Sequence, residues 1–375
     1  MDKRCLGLLR ILPPVEPPFR FYEGPLEEDP QAELPEARAF INLDQAREEF
    51  RDPGEFELSG EGMTVAVLDT GLRVTHVDFR GRVPFQLNLT PDNGGDRSNA
   101  ADGQGHGTNV GGIIVAGGLN NGIAPAARIV PIKVLQDTGG GAFDWVEDAL
   151  RWVDENHEEH GITVVNMSLG DSGNHVSDAF GENSIGELIT SLREKRIAVV
   201  VSAGNDFFTH SSQQGMGFPA IFRDTISVGA VYDSNAGGFG YSSGARAESS
   251  AGGQITPFSQ RIHESTNNAL RTDIFAPGAP IASSGITSDQ GISIQHGTSQ
   301  AAPVTSGLIL LMQQYYKYRT GGLPTVEQIE EWLRSGGGES IDNYGDRDNV
   351  VNTGLSFTGL DALGSMTQVR EALKE

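Results

Sequence analysis

One cysteine, Cys5, in 375 residues excludes an internal disulfide, the usual staple of exported proteins. That count points to a reducing compartment, and a cytoplasmic location is expected. Basic residues are scarce too. Against 50 Asp and Glu stand 27 Lys and Arg, a net charge of -23 that provides no basic stripe to follow a phosphate backbone, so nucleic acid is not an expected partner. Long apolar runs are also missing: the run from Gly307 to Met312 stops at Gln313 and Gln314, far short of the roughly 20 residues that cross a bilayer. No membrane partner is expected. Lys3 and Arg4 give a basic start, but Arg10 and Pro13-Pro14 cut the apolar stretch below the roughly 7–15 residues of an export signal.

The chain does have 37% hydrophobic residues, enough for a sizeable core. It opens on a proline-rich segment. Pro13, Pro14, Pro17, Pro18, Pro25, Pro30 and Pro35 stand among acids, a composition that neither holds a helix nor joins a central strand, so residues 1–37 are expected to lie outside the core as an extension. Residues 38–375 form the main domain. Short Val- and Ile-rich runs, Thr64–Leu68, Arg128–Leu135, Thr163–Met167, Ala198–Ser202 and Thr225–Val231, are predicted as buried strands. Between them, Ala142–His157 and Ser184–Lys195 carry apolar residues at helical spacing. Strand-helix alternation predicts an α/β fold with a doubly wound, mainly parallel sheet and helices on both faces, three layers in all. The Gly- and Ser-rich stretch 233–253 has no apolar period and is predicted as a mobile surface insertion.

Three segments carry the candidate chemistry: Val65-Ala66-Val67-Leu68-Asp69-Thr70-Gly71, Gly105-His106-Gly107-Thr108 and Gly297-Thr298-Ser299-Gln300-Ala301-Ala302-Pro303. An aspartate ending a buried strand is held rigidly and can orient an imidazole. Glycines flanking His106 free its backbone to turn. A serine opening the apolar run 301–312 would sit at a helix amino terminus, where free N–H groups favour developing negative charge. These are the parts of an acyl-transfer centre. A second Asp-Thr-Gly at Asp137-Thr138-Gly139 raises the reading of an aspartic protease, but the two copies are too close to serve two separate, similarly built lobes. No Lys-Ser or Lys-Thr pair follows Gly139–Gly141, which argues against a nucleotide loop. His296, near Ser299, is read as a bystander, and His157, His160, His175, His210 and His263 as surface residues without metal-ligand spacing.

With those segments in the order Asp, His, Ser, joined by Asn166-Met167-Ser168-Leu169-Gly170 and Ser202-Ala203-Gly204-Asn205, the chain resembles the subtilisin-like serine proteases, the subtilases, from about residue 38 through the helix after Ser299. The resemblance implies the subtilisin-like three-layer fold and a serine endopeptidase, a hydrolase with Asp69, His106 and Ser299 as catalytic triad and Asn205 completing the oxyanion hole. An extended polypeptide substrate would lie between Gly139, Gly140 and Gly141 on one side and Ser168, Leu169 and Gly170 on the other. Phe143, Val146 and Leu169 would surround its fourth residue, and Ala203, Gly204 and Gly217 its first. Cleavage after large apolar residues is expected, with no carboxylate facing that first pocket and Asp206 admitting some Lys or Arg at its mouth. The chemistry needs no cofactor. The stretch from His106 to Pro125 is shorter than the secreted subtilisins' calcium loop, leaving Asp78 as a candidate calcium ligand, one carboxylate where calcium takes 6–8 oxygens. Leu9-Arg10-Ile11-Leu12-Pro13-Pro14 resembles the amino-terminal segment of intracellular subtilisins that lies across the active site. There Leu12 would fill a pocket and the prolines would resist cleavage; a disordered tail or a strap on the back of the domain are the other readings. A peptide-binding module that has lost turnover is the alternative function.

Overall fold

The computed structural model describes residues 9–10, 35–180, 183–343 and 345–374. A two-residue strand β1 (Leu9–Arg10) precedes helices α1 (Pro35–Phe40) and α2 (Leu43–Glu49). Then follow β2 (Thr64–Asp69), β3 (Leu87–Asn88), α3 (His106–Val115), β4 (Arg128–Lys133), β5 (Gly140–Gly141), α4 (Phe143–His160), β6 (Ile162–Met167), α5 (Ser184–Glu194), β7 (Ala198–Ser202) and β8 (Ile226–Tyr232). The chain goes on through β9 (Phe239–Gly240), β10 (Arg246–Ala247), β11 (Ile274–Ala279), β12 (Ile281–Gly285) and β13 (Gly291–Gln295) to α6 (Thr298–Thr320). It ends with α7 (Val326–Gly336), β14 (Gly338–Ile341), β15 (Ser356–Gly359) and α8 (Ala362–Ala372).

Nine strands form one sheet in the order β14-β15-β11-β8-β7-β6-β2-β4-β3, with only β14 antiparallel to its neighbour. The sheet is parallel because each run is apolar on both sides and is covered on both. Val65 and Val67 face the layer containing α3 and α6, while Ala66 and Leu68 face α4 and α5. Each such fully buried Val or Leu contributes about 1.5–3 kcal/mol. Strand order reverses beside β2: β3 and β4 lie to one side, β6 onward to the other. A crevice at the carboxyl ends of such strands is where open α/β sheets place their sites, and Asp69 ends β2 there.

Two expectations change. Segment 233–253 is seated, not loose: β9 and β10 pair, Tyr241 is 3% exposed, and its hydroxyl shares a 2.8 Å hydrogen bond with that of Tyr232. Aromatic packing holds a stretch whose glycines hide any period. The domain boundary at 37/38 falls inside α1, whose Ala37 is buried along with Ile41, Leu43 and Ala46. Proline at the first helical position costs nothing because its missing N–H would have no partner there.

Candidate active site

Asp69, His106 and Ser299 come from three different elements. Asp69 ends β2 with its backbone oxygen accepting from Val134 and Leu135 at 2.9 and 3.1 Å, and its side chain is fully buried. His106 is the first residue of α3, behind Gly105 at φ 103°, a conformation that favours glycine. A Cβ on Gly107 would run into the Gly71 carbonyl, so this glycine lets the helix start close against the end of β2. His106 Nδ1 lies 2.8 Å from Asp69 Oδ1. Burial pulls the imidazole pKa down, but the charge and hydrogen bond of Asp69, with the charge of Asp102, outweigh it and leave it above the ordinary 6.5.

Ser299 is the second residue of α6 and is 2% exposed. Pro303 has no N–H for the Ser299 carbonyl four residues back, and that carbonyl instead accepts from Ser168 Oγ at 2.8 Å. Ser299 Oγ donates to the Ser168 carbonyl at 3.3 Å, so the nucleophile candidate is bonded to the chain after β6 and not directly to His106. Such bonds tighten when substrate binds.

Asn205 accepts from Thr298 N and Oγ1 at 2.9 and 2.8 Å, which fixes its amide and turns Nδ2 away from Thr298. Among the described residues that Nδ2 is buried and unpartnered. A Cβ built on Gly297 would lie 3.0 Å from Gln300 Oε1, 3.1 Å from this Nδ2 and 3.5 Å from Ser299 N, so the two donors flank the same turn before α6. A buried donor without an acceptor costs about 1–3 kcal/mol. An oxyanion within reach of Asn205 Nδ2 and Ser299 N would satisfy it.

Several residues that the motifs do not single out hold this geometry. Asp102, four residues before His106, accepts from Thr70 Oγ1, Gln104 N and Gly105 N on one oxygen and from Thr108 N and Oγ1 on the other, at 2.6–3.0 Å. It shapes the turn that presents the histidine, and the pattern Asp-x-x-Gly-His could have flagged it. Lys133 pairs with Asp69 in the sheet and is fully buried. Its ammonium donates to Thr70 O at 2.6 Å and Asp137 Oδ1 at 2.7 Å. Asp137 Oδ1 also accepts from Gly103 N at 3.0 Å, so the second Asp-Thr-Gly is a counter-ion that ties the His106 loop to the 139–141 loop.

The remaining candidates fall into groups. Phe143, Val146 and Leu169 belong to one buried cluster, where Phe143 meets Phe218 edge-on at 4.9 Å. Gly217 N donates to Ala203 O at 2.9 Å, and Gly204 N to Thr298 Oγ1 at 3.2 Å. β1 pairs antiparallel with β5, Leu9 against Gly141 and Arg10 against Gly140, so residues of the extension occupy the 139–141 edge. Leu12, Pro13 and Pro14, expected over the serine, lie outside the described residues. His296 packs on Phe239 and Tyr241, and burial lowers its pKa to about 4, which keeps it neutral.

One further expectation is corrected, and two other residues are found with partners. Asp171 faces the space beside Gly217: a Cβ there would lie 3.7 Å from Asp171 Oδ1, so a carboxylate does border the space expected for the substrate's first residue. Nothing in Gly170-Asp171-Ser172 says which way that side chain points. His175, partly exposed at the surface, is bonded to Asp171 Oδ2 at 2.7 Å. Asp78 is wholly buried, and its oxygens accept from Leu119 N, Asn120 N, Asn120 Nδ2 and Ser284 Oγ at 2.6–3.1 Å. Those four bonds use its acceptor sites.

Residues 60–345 match the subtilase family. The chain is 29% identical over 265 residues to the major intracellular serine protease of Bacillus subtilis (strain 168), covering 69% of this chain and 70% of that one. To subtilisin-like protease 1 of Pseudogymnoascus destructans it is 31% identical over 280 residues, 74% of this chain and 57% of the other. Among solved structures it is similar to a cold adapted subtilisin-like serine proteinase at 25% identity and a TM-score of 0.57, with 81% of this chain and 90% of that one covered.

Proposed function

The chain belongs to the subtilase family, that of the subtilisin-like serine endopeptidases, and we propose that it cuts peptide bonds through an acyl-enzyme formed on Ser299. In this reading His106 takes the Ser299 proton as Oγ attacks the carbonyl carbon, and Asp69 holds the tautomer and stabilises the imidazolium. The tetrahedral oxygen is bound by Asn205 Nδ2 and Ser299 N. His106 then returns the proton to the leaving amine, and water repeats the sequence to free the acid. The observation that carries the reading is the buried, unpartnered Asn205 amide beside the amino terminus of α6. The substrate is an extended polypeptide on the 139–141 and 168–170 edges, and β1 on the first of these supports that. Its first pocket, with Ala203, Gly204 and Gly217 as small walls, takes large side chains along apolar stems. A cytoplasmic site of action is supported by the single cysteine and by similarity to relatives named intracellular. Asp78 acts as a structural carboxylate, and calcium is not held by it.

Phenylmethylsulfonyl fluoride tests the reading. It should abolish hydrolysis of a mixed peptide library and leave one adduct, on Ser299, in the digested protein's mass spectrum. An adduct on another residue with activity lost would reassign the nucleophile, and a protein that cuts no peptide would favour the silent binding module.

The extension acts in this scheme as a tethered competitor. Leu9 and Arg10 take the hydrogen bonds a substrate would make to Gly140 and Gly141, and a tether raises their local concentration to the millimolar range for a short linker. Removing residues 1–34, which keeps α1 intact, should lower KM for a short peptide about tenfold with kcat little changed. Equal KM in the two forms would show that β1 does not compete for the cleft.

A further inference from the structure

We propose that Asp171 makes the pocket for the residue ahead of the cut bond accept lysine and arginine alongside large apolar side chains. This rests on the acyl-transfer reading above. The reacting carbonyl must lie between Ser299 Oγ and the Asn205 amide. A strand held on edges 139–141 and 168–170 then sends that residue's side chain between the chain leaving Gly170 and the chain leaving Ala203. Gly217 borders this space: a Cβ there would have as its nearest neighbours Ala203 O at 3.6 Å and Asp171 Oδ1 at 3.7 Å. Any group resting against Gly217 is therefore in van der Waals reach of a carboxylate.

Asp171 is built into place. Oδ1 accepts from Gly173 N at 2.8 Å and Phe218 N at 3.0 Å, and Oδ2 from His175 Nε2 at 2.7 Å. Oδ1, the oxygen nearer Gly217, is filled by its two amide bonds, so of about four acceptor sites the one left is on Oδ2, and an incoming cation would meet Oδ1 by charge and Oδ2 by a hydrogen bond. Burial pushes its pKa up, but the hydrogen bonds of His175, Phe218 and Gly173 outweigh it, so the group is ionised at neutral pH. Asp206, on the opposite segment, is 8% exposed and accepts from Thr209 Oγ1 at 3.2 Å on Oδ1. Burial raises its pKa and outweighs the hydrogen bonds of Thr209 and Ser172 and the charge of His210, and the charge of Asp171 adds to the rise, so two acids share this region. Among the described residues neither is paired with a lysine or arginine; His175 is the only ion-pair partner, on Asp171. A lysine or arginine would lay its methylenes along Ala203 and Gly204 and bring its charge to the acids. Phenylalanine or leucine would fill the same walls and stop short of them.

The experiment compares kcat/KM for peptides that differ only in the residue before the cut: Lys, Arg, Leu or Phe. Lysine and leucine peptides should be cut within about tenfold of each other. Asp171→Asn keeps an acceptor for the Phe218 and Gly173 amides but removes the charge, and should lower the lysine-to-leucine ratio by about tenfold or more. Because the 171–175 turn can shift in that variant, His175→Gln serves as a second: it disturbs the same turn but leaves the carboxylate, and the ratio should hold or rise. An unchanged ratio in Asp171→Asn, an equal fall in His175→Gln, or a wild-type protein that cuts after leucine but never after lysine or arginine would each overturn the proposal. Failure to cut any peptide would instead count against acyl transfer.

Discussion

Ser299→Ala is expected to abolish peptide hydrolysis, a loss of about a million-fold in kcat as known for the triad serine of a subtilisin, and to leave the melting temperature within a few degrees. The size of the loss is the subtilisin value; the sparing of the fold follows from the bonds Ser299 makes here. The only hydrogen bond the hydroxyl makes among the described residues is the 3.3 Å contact to the Ser168 carbonyl, worth about 1 kcal/mol net. The bond that locks α6 to the chain after β6 uses the Ser299 carbonyl, which alanine retains. His106→Ala should cost as much in rate, and the double variant no more than either single one, because a base without its nucleophile has no proton to take. Stopped-time chromatography of a short peptide, with thermal melts of each variant, checks all three. Appreciable turnover in Ser299→Ala would move the nucleophile elsewhere, and a collapsed melt would make the loss one of folding.

Where the sequence spoke clearly, it did so through period and position. Thr64–Leu68 was readable as a two-faced buried strand because Val65 and Val67 pack to one side and Ala66 and Leu68 to the other. Helix α4 announced itself through Phe143, Val146, Leu150 and Val153, and it runs three residues beyond the expected His157. Helix α3 was not legible. His-Gly-Thr-Asn-Val-Gly-Gly has three glycines in its first seven residues, each about 1 kcal/mol unfavourable to a helix, so packing against α6, β12 and β2 must stabilise it. That packing is also why the glycines are there, since Gly107 has the Gly71 carbonyl against it. Glycine content misled in the opposite direction at 233–253, where Tyr232, Phe239 and Tyr241 seat the hairpin.

At the candidate site, Asp69, His106, Ser299 and Asn205 were singled out because each sits in a short motif tied to the end of an element. The groups that hold them were not. Lys133 lies in an ordinary apolar strand, and its task exists only because β4 pairs with β2 in the register that sets it beside Asp69. Asp171 and His175 are four apart in a loop, and a contact of that kind follows from backbone geometry that composition does not encode. Such residues become visible only through the partners that the fold brings to them.

Asp78→Ala is expected to destabilise the fold by about 3–5 kcal/mol. The carboxylate is completely buried and takes four donors from two distant segments, the 119–120 turn and Ser284 of β12. Its removal leaves Leu119 N, Asn120 N, the Asn120 amide and the Ser284 hydroxyl facing a methyl group, at about 1–3 kcal/mol for each donor that water fails to reach. At roughly 2–4 °C per kcal/mol for large domains, the melting temperature should fall by about 10 °C. Asp78→Asn should lie between the two, because it keeps one acceptor oxygen but turns an NH2 toward donors. The melts are best made on the Ser299→Ala background, where self-digestion cannot mimic unfolding. A chelator decides between the two roles for Asp78. If the four donors are its partners, EDTA leaves the melt of the parent unchanged and the Asp78→Ala deficit persists at every calcium concentration. If Asp78 is a calcium ligand, EDTA lowers the parent toward the variant and has no further effect on Asp78→Ala, a result that would refute the hydrogen-bonded assignment.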